Sequence, residues 1–306
     1  MLKNSLAKTK HREAWLDIAK AFGIALVVYS HLHLDIQLLS FFGGMIVIPI
    51  FFVTSGYTSR NKGESFQDYA LGKAKRLLIP YAVCNLFLFA FFTILNGTFS
   101  KPSFLGLFYG RSMLMRNGSI WNMALMSNLN APTWFLPCMF LCLCFYYLID
   151  CKFTDMKKRR MAILIAMAVG ILIRTVSPVL MPWGIENALF FLGLLEVGRY
   201  LKEEGLAWLR KNEWIYANFL IGFVALSYLN GSVNVSISEY GRSMILYFFT
   251  GALGSILCMK AAELTEKYLK VLIKPLAFVG RHTMGIMCWH LFVLEIIRKV
   301  LAMLGI

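Results

Sequence analysis

The chain has 306 residues, of which 58% are hydrophobic and 15% are charged, with a formal net charge of +15 at pH 7. Soluble domains carry about a quarter charged residues, so this composition excludes an ordinary soluble domain. The Lys and Arg residues form short clusters between apolar runs, and they do not form a basic stripe interleaved with aromatic residues. Nucleic acid is therefore not an expected partner, and the charge is instead what a membrane protein needs to orient its cytoplasmic loops.

Apolar runs of about 17 to 25 residues recur along the chain, which is the length a helix needs to cross a bilayer. They predict an all-α, polytopic bundle in which residues 1–306 form a single membrane domain. Nine spans are expected near residues 14–33, 41–57, 77–95, 134–150, 161–177, 184–200, 214–230, 242–260 and 283–304. Lys and Arg are concentrated before span one and after spans two, four, six and eight, which predicts a cytoplasmic N-terminus.

The segment between the third and fourth spans is harder to interpret. Residues 96–133 are half apolar, with the runs "FLGLFYG" at 104–110 and "IWNMALM" at 120–126. They predict a short outer helix or a re-entrant segment, and such a segment must pack on protein or line a wet cavity. A tenth span within 104–126 would reverse the orientation of everything that follows, so nine and ten spans both stay open.

The first span, "WLDIAKAFGIALVVYSHLH", carries polar residues inside an apolar run. At about 100° per residue, Asp17, Lys20 and His31 fall on one narrow stripe, while His33 falls on the opposite side. This places an ion pair near the inner end of the helix and an imidazole near its outer end. Intramembrane polar groups are costly and indicate function. Snorkelling, a structural salt bridge and a satisfied core histidine are the alternatives.

The second span, "FFGGMIVIPIFFVTSGYTS", has a second polar cluster. Gly43 and Gly44 allow close approach of the backbone to a neighbouring helix or to a ligand. The hydroxyl of Ser55 follows three turns later. A kinked helix that packs closely explains this pattern as well as a ligand contact does.

Three later stretches also combine polar and aromatic residues. In "KRLLIPY", Lys75 and Arg76 stand where a cytoplasmic phosphate would meet them, although positive-inside topology also explains them. In "APTWFLPCMF", Trp134 enters the fourth span at the outer boundary, where aromatic anchors are common. In "GRHTMGIMCWH", His282 and His290 are eight residues apart, which is a poor spacing for two metal ligands on one helix. No metal site is expected.

Taken together and in order, these stretches resemble acyltransferase family 3 of integral membrane proteins, and most closely its sugar O-acetyltransferase branch, the fucose 4-O-acetylase-like group. The first span reads "DIAKAFGIALVVYSH", with lysine at a position where the family more commonly has arginine. The second-span ending "FFVTSGY" is similar to the family pattern. Further landmarks are "KRLLIPY", "WFLPCMF", "FLGLLEVGRYLK" and "GRHTMGIMCWHLF".

The resemblance implies an enzyme of the bacterial cytoplasmic membrane that takes an acyl group, usually acetyl, from cytoplasmic acetyl-CoA as co-substrate. The group passes to a hydroxyl of a sugar or lipid-linked glycan at the outer face. His31 would act as general base or acyl carrier, with Asp17 and Lys20 shaping the inner channel. A transporter or flippase of a glycolipid or small anion is the alternative from another class. The acceptor and the oligomeric state stay open.

The same resemblance divides the remaining candidate residues between the two substrates. Lys75 and Arg76 would hold the nucleotide phosphates of the donor. The acceptor side would draw on four residues of the second and fourth spans, namely Gly43, Gly44, Ser55 and Trp134.

Overall fold

The computed structural model describes residues 13–32, 36–59, 63–111, 113–114 and 128–304, without the side chains of residues 128 and 129. Within these ranges the chain forms thirteen α-helices. They are α1 (Ala14–Ser30), α2 (Gln37–Ile46), α3 (Pro49–Thr58), α4 (Phe66–Asn96), α5 (Lys101–Tyr109), α6 (Phe135–Lys152), α7 (Met156–Val176), α8 (Ile185–Tyr200), α9 (Leu206–Lys211), α10 (Ile215–Asn230), α11 (Met244–Tyr268), α12 (Lys270–Arg281) and α13 (Thr283–Met303).

Shorter helical turns connect several of these helices. Three are 3-10 turns, at Asn128–Trp134, Pro182–Gly184 and Val235–Ile237, and one is a π-helical turn, at Leu201–Gly205. The described ranges contain no strand, and their β-bridges are isolated, such as the one between Asn234 and Glu239. The all-α prediction is therefore confirmed.

Each of the nine predicted spans falls on a helix, but several boundaries differ. The second span is divided between α2 and α3 because Pro49, at the start of α3, has no backbone N–H to continue the helix. The helix of the third span begins well before residue 77, because the Ser65 side chain caps it by accepting the Asp68 backbone N–H. Helix α12, which is amphipathic, was not predicted.

Four helical segments are long and apolar enough to cross a membrane, namely Gln37–Thr58, Phe66–Asn96, Asn130–Lys152 and Met244–Tyr268. Peripheral helices expose apolar side chains outward. On α4, Ile79, Val83 and Ile94 are all more than half exposed. A lipid environment accepts these exposed apolar side chains, whereas in a soluble monomer they would face water. The chain is an integral membrane protein.

Helix α8 lies at the centre of the bundle and packs against α3, α6 and α7, while α1 packs against α11 and α12. The fully buried side chains of α8 include Phe190, Phe191, Leu192, Leu194 and Leu195.

Two glycines let α3 and α8 pack backbone to backbone. A Cβ at Gly198 would lie 1.9 Å from the Val53 carbonyl oxygen, and one at Gly56 would lie 2.0 Å from the Leu195 carbonyl oxygen. No other residue fits at either position without moving a helix. This contact fixes α3 against the core, and α3 carries the hydroxyl residues of the cavity described next.

Candidate active site

A cavity of about 1030 Å³ opens where the start of α1, the end of α3, the start of α4 and the end of α12 come together. The predicted topology places this end of the bundle on the cytoplasmic side. Among the described residues, six cationic side chains line the cavity: Lys20, Lys73, Lys75, Arg76, Lys202 and Arg281. Three acidic side chains also line it: Glu13, Asp17 and Glu64. The excess of three positive charges favours an anionic ligand.

The cavity is polar at its mouth and apolar at its floor. Lys75, Arg76 and Arg281 are exposed. The floor is made of buried apolar side chains, among them Phe51, Phe135, Leu136, Met139, Leu143 and Met287. A ligand that carries phosphates at one end and an apolar arm at the other matches this division.

The predicted ion pair on the first helix is confirmed. Lys20 Nζ lies 3.9 Å from Asp17 Oδ1, and the Asp17 side chain is buried while that of Lys20 is 25% exposed. Both residues line the cavity.

Lys75 and Arg76 line the cavity, and Ser55 joins them from α3. Sequence reasoning missed Lys73 and Lys202 as cavity residues. Lys73 Nζ lies 4.9 Å from the ring centroid of Tyr69. Lys202 Nζ lies 4.6 Å from the ring centroid of Tyr57. In the sequence they are indistinguishable from cations that only set topology, because their common position depends on how distant helices pack.

His31 does not line the cavity. It follows α1 at the end opposite Asp17 and Lys20, and the rise from Lys20 to His31 is about 16 Å for a regular helix. The His31 ring packs against the ring of His290, with the centroids 5.3 Å apart and the planes at 40°. Arg298 Nη2 donates a hydrogen bond of 2.6 Å to the His31 backbone oxygen. The end of α1 is therefore held against α13.

The contact of His290 with His31 was not predicted from the sequence. The spacing argument weighed it only as a metal partner of His282. In the fold it is buried, and its Nδ1 lies 2.9 Å from the Ile286 carbonyl oxygen and 3.1 Å from that of Met287. Its Nε2 is also buried and has no hydrogen-bond partner among the described residues. An imidazole inside the last apolar span was the available signal.

Trp134, expected as an aromatic anchor at the outer boundary of the fourth span, is buried and does not line the cavity. The Arg111 guanidinium carbon lies 5.5 Å from the Trp134 ring centroid. Arg111 Nη2 also donates to Glu186 Oε1 at 2.8 Å and to Ser238 Oγ at 2.7 Å. This fully buried ion pair ties together segments that are far apart in the chain.

The buried network around Arg111 extends to the loop between α10 and α11. The Tyr240 hydroxyl donates to Asn187 Oδ1 at 2.7 Å, and Ser238 Oγ lies 2.9 Å from the same oxygen. Burial raises the pKa of Tyr240 well above its ordinary value, so the hydroxyl stays protonated and keeps donating. The network lies at the predicted outer end of the bundle.

Gly43 and Gly44 lie outside the cavity. A Cβ at Gly43 would lie 3.3 Å from Leu26 Cδ2, and one at Gly44 would lie 3.3 Å from Val233 Cγ2. Both glycines therefore pack against protein. Of the predicted site residues, the cavity brings together Asp17, Lys20, Ser55, Lys75 and Arg76. His33 and the run 120–126 lie outside the described residues.

Comparison with known proteins gives one finding. A family model described as an acyltransferase domain matches residues 13–306, which covers every described residue. Neither the curated proteins nor the solved structures give a significant match.

Proposed function

The chain belongs to acyltransferase family 3, and from this premise we propose that it moves an acyl group, acetyl foremost, from cytoplasmic acyl-CoA to a hydroxyl of a sugar or cell-surface glycan. The family match supports acyl transfer in a membrane.

The choice of acyl-CoA as the donor rests on the shape and lining of the cavity. Coenzyme A has a nucleotide with several phosphates and a long, mostly apolar pantetheine arm that ends in the thioester. Six cationic side chains among the described residues line the cavity, and buried apolar side chains form its floor. The volume of about 1030 Å³ is at the upper end of the range for ligand pockets. Lys75 and Arg76 would hold phosphates by charge-assisted hydrogen bonds.

Helix α1 links the donor to the transfer step. Its start lines the cavity through Asp17 and Lys20, and its end carries His31. The acceptor oxygen attacks the thioester carbonyl carbon, the C–S bond breaks, and the hydroxyl proton goes through an imidazole to the departing thiolate. His31 is the imidazole at the end of this path, as general base or as acyl carrier.

The acceptor class rests on the first span. Its lysine form, "DIAKAFGIALVVYSH", resembles the fucose 4-O-acetylase-like branch, which favours a sugar hydroxyl. His31 lies at the predicted outer end of α1, so the acceptor would be reached from the outer face of a bacterial cytoplasmic membrane.

Radiolabelled acetyl-CoA supplied to inverted membrane vesicles tests the proposal. We expect acetyl groups to appear in glycan with the wild-type protein and to be lost with His31→Ala at equal membrane levels. His282→Ala, a change at an exposed histidine, is the matched control and should stay active. Full activity of His31→Ala contradicts the mechanism. Glycan movement without acetylation would instead support a transporter or flippase.

A further inference from the structure

The second imidazole next to His31 is held in one orientation. His290 Nδ1 lies within hydrogen-bond distance of two backbone carbonyl oxygens, those of Ile286 and Met287. Carbonyl oxygens only accept, so Nδ1 must carry the proton. In a neutral ring the other nitrogen, Nε2, then has a free lone pair and acts as an acceptor.

This acceptor is buried and needs a donor. The side chain of His290 is 7% exposed, and Nε2 has no hydrogen-bond partner among the described residues. A buried acceptor without a partner is unfavourable. The aromatic ring in contact with it is that of His31, with 5.3 Å between ring centroids. The His31 ring is therefore placed to supply that donor.

We propose that His290 is a positioning residue for His31: its Nε2 accepts the N–H of His31 and so fixes which nitrogen of His31 faces the acceptor hydroxyl. The inference rests on the proposed function. His31 takes the hydroxyl proton on its second nitrogen and passes it to the thiolate that leaves. His290 stays neutral throughout and stabilises the imidazolium that forms on His31. This is the role that a carboxylate has in a nucleophile–base–carboxylate triad.

Surrounding contacts support a fixed pair. Arg298, two turns after His290 on α13, donates to the His31 backbone oxygen and lies 3.9 Å from Glu295. The hydrogen bond from Arg298 to the His31 backbone oxygen holds the end of α1 against α13, next to His290.

Two substitutions separate positioning from simple packing. His290→Gln keeps an acceptor near the position of Nε2 but loses the bond to the helix backbone. His290→Asn keeps a donor near the position of Nδ1 but loses the acceptor. His282→Gln is the matched control, because His282 Nδ1 lies 2.7 Å from the Phe278 carbonyl oxygen in the same local geometry, on an exposed side chain. All variants are compared at equal amounts of folded, membrane-inserted protein.

Rates and Michaelis constants are measured with radiolabelled acetyl-CoA and a glycan acceptor. We expect His290→Asn to lower kcat by at least about tenfold, with the KM for acetyl-CoA unchanged, because the donor cavity is not touched. His290→Gln should recover a large part of kcat, and His282→Gln should match the wild type.

Three results would overturn the inference. They are equal loss of kcat in both His290 variants, better activity with Asn than with Gln, and full activity in both. If His31→Ala is inactive while both His290 variants are fully active, only this inference fails. If His31→Ala is itself fully active, the proposed role of His31 fails first.

Discussion

Gly280 lies where the backbones of α1 and α12 come closest, at the wall of the cavity. A Cβ at this position would lie 1.7 Å from the Asp17 carbonyl oxygen, whereas ordinary van der Waals contact is 3.4–4 Å. Gly280→Ala therefore has to move α12 away from α1 by roughly 1.7 Å, and no side-chain rotation can relieve a clash with backbone. Overpacking typically costs about 1–3 kcal/mol, so we expect a loss at or above the upper end of that range.

The displacement should also affect function, because Asp17 and Arg281 line the same wall. We expect Gly280→Ala to unfold at a lower temperature in detergent and to show a raised KM for acyl-CoA. Gly72→Ala is the matched control. Gly72 also lines the cavity, but an added Cβ would meet nothing within 4 Å. Alanine is favoured over glycine in a helix by about 1 kcal/mol, so this variant should be slightly more stable.

Thermal unfolding followed by light scattering or intrinsic fluorescence, together with the KM for acetyl-CoA, tests both expected effects of Gly280→Ala. If Gly280→Ala melts with the wild type and keeps its KM, then the contact between α1 and α12 does not set the cavity wall. A loss of stability in Gly72→Ala of the same size would show that any added methyl group at this end is harmful, and the steric argument would then fail.

Three further outcomes are expected. Arg111→Met should lower the free energy of unfolding by about 3–5 kcal/mol, because Glu186 then stays buried without its ion-pair partner. The double variant Arg111→Met/Glu186→Met should regain much of the lost stability, as measured by thermal unfolding. Trp134→Leu should cost more stability than Trp134→Phe, since only the aromatic ring keeps the cation–π contact with Arg111, worth about 0.5–2 kcal/mol. Arg76→Gln should raise the KM for acyl-CoA by about tenfold, and by more at low salt. Lys211→Gln, which changes an exposed residue outside the cavity, should leave the KM unchanged. Equal effects of the two substitutions on the KM would argue against a phosphate site.

Much of the fold could be predicted from the sequence because membrane helices are recognised from local hydropathy. The all-α class, a helix at each of the nine apolar runs and the Asp17–Lys20 pair all follow from runs of apolar residues or from spacing on one helix. The family was likewise visible in the order of short motifs, and the match over residues 13–306 confirms it. The more specific branch stays a proposal.

The residues at which helices begin and end have local causes that the hydropathy pattern does not show. The start of α4 depends on a cap at Ser65, and the break between α2 and α3 depends on Pro49. Helix α12 was missed because its amphipathic pattern does not produce a continuous apolar run.

Contacts between distant segments were decided by the tertiary structure alone. Hydropathy shows which residues leave water, but it does not show which helix faces meet. The contact of His31 with His290, and that of Arg111 with Glu186, join residues far apart in the sequence, so only the packing of distant segments brings them together. The sequence thus determined a membrane acyltransferase fold with polar residues on its first helix, and only close packing decided that a second histidine faces His31.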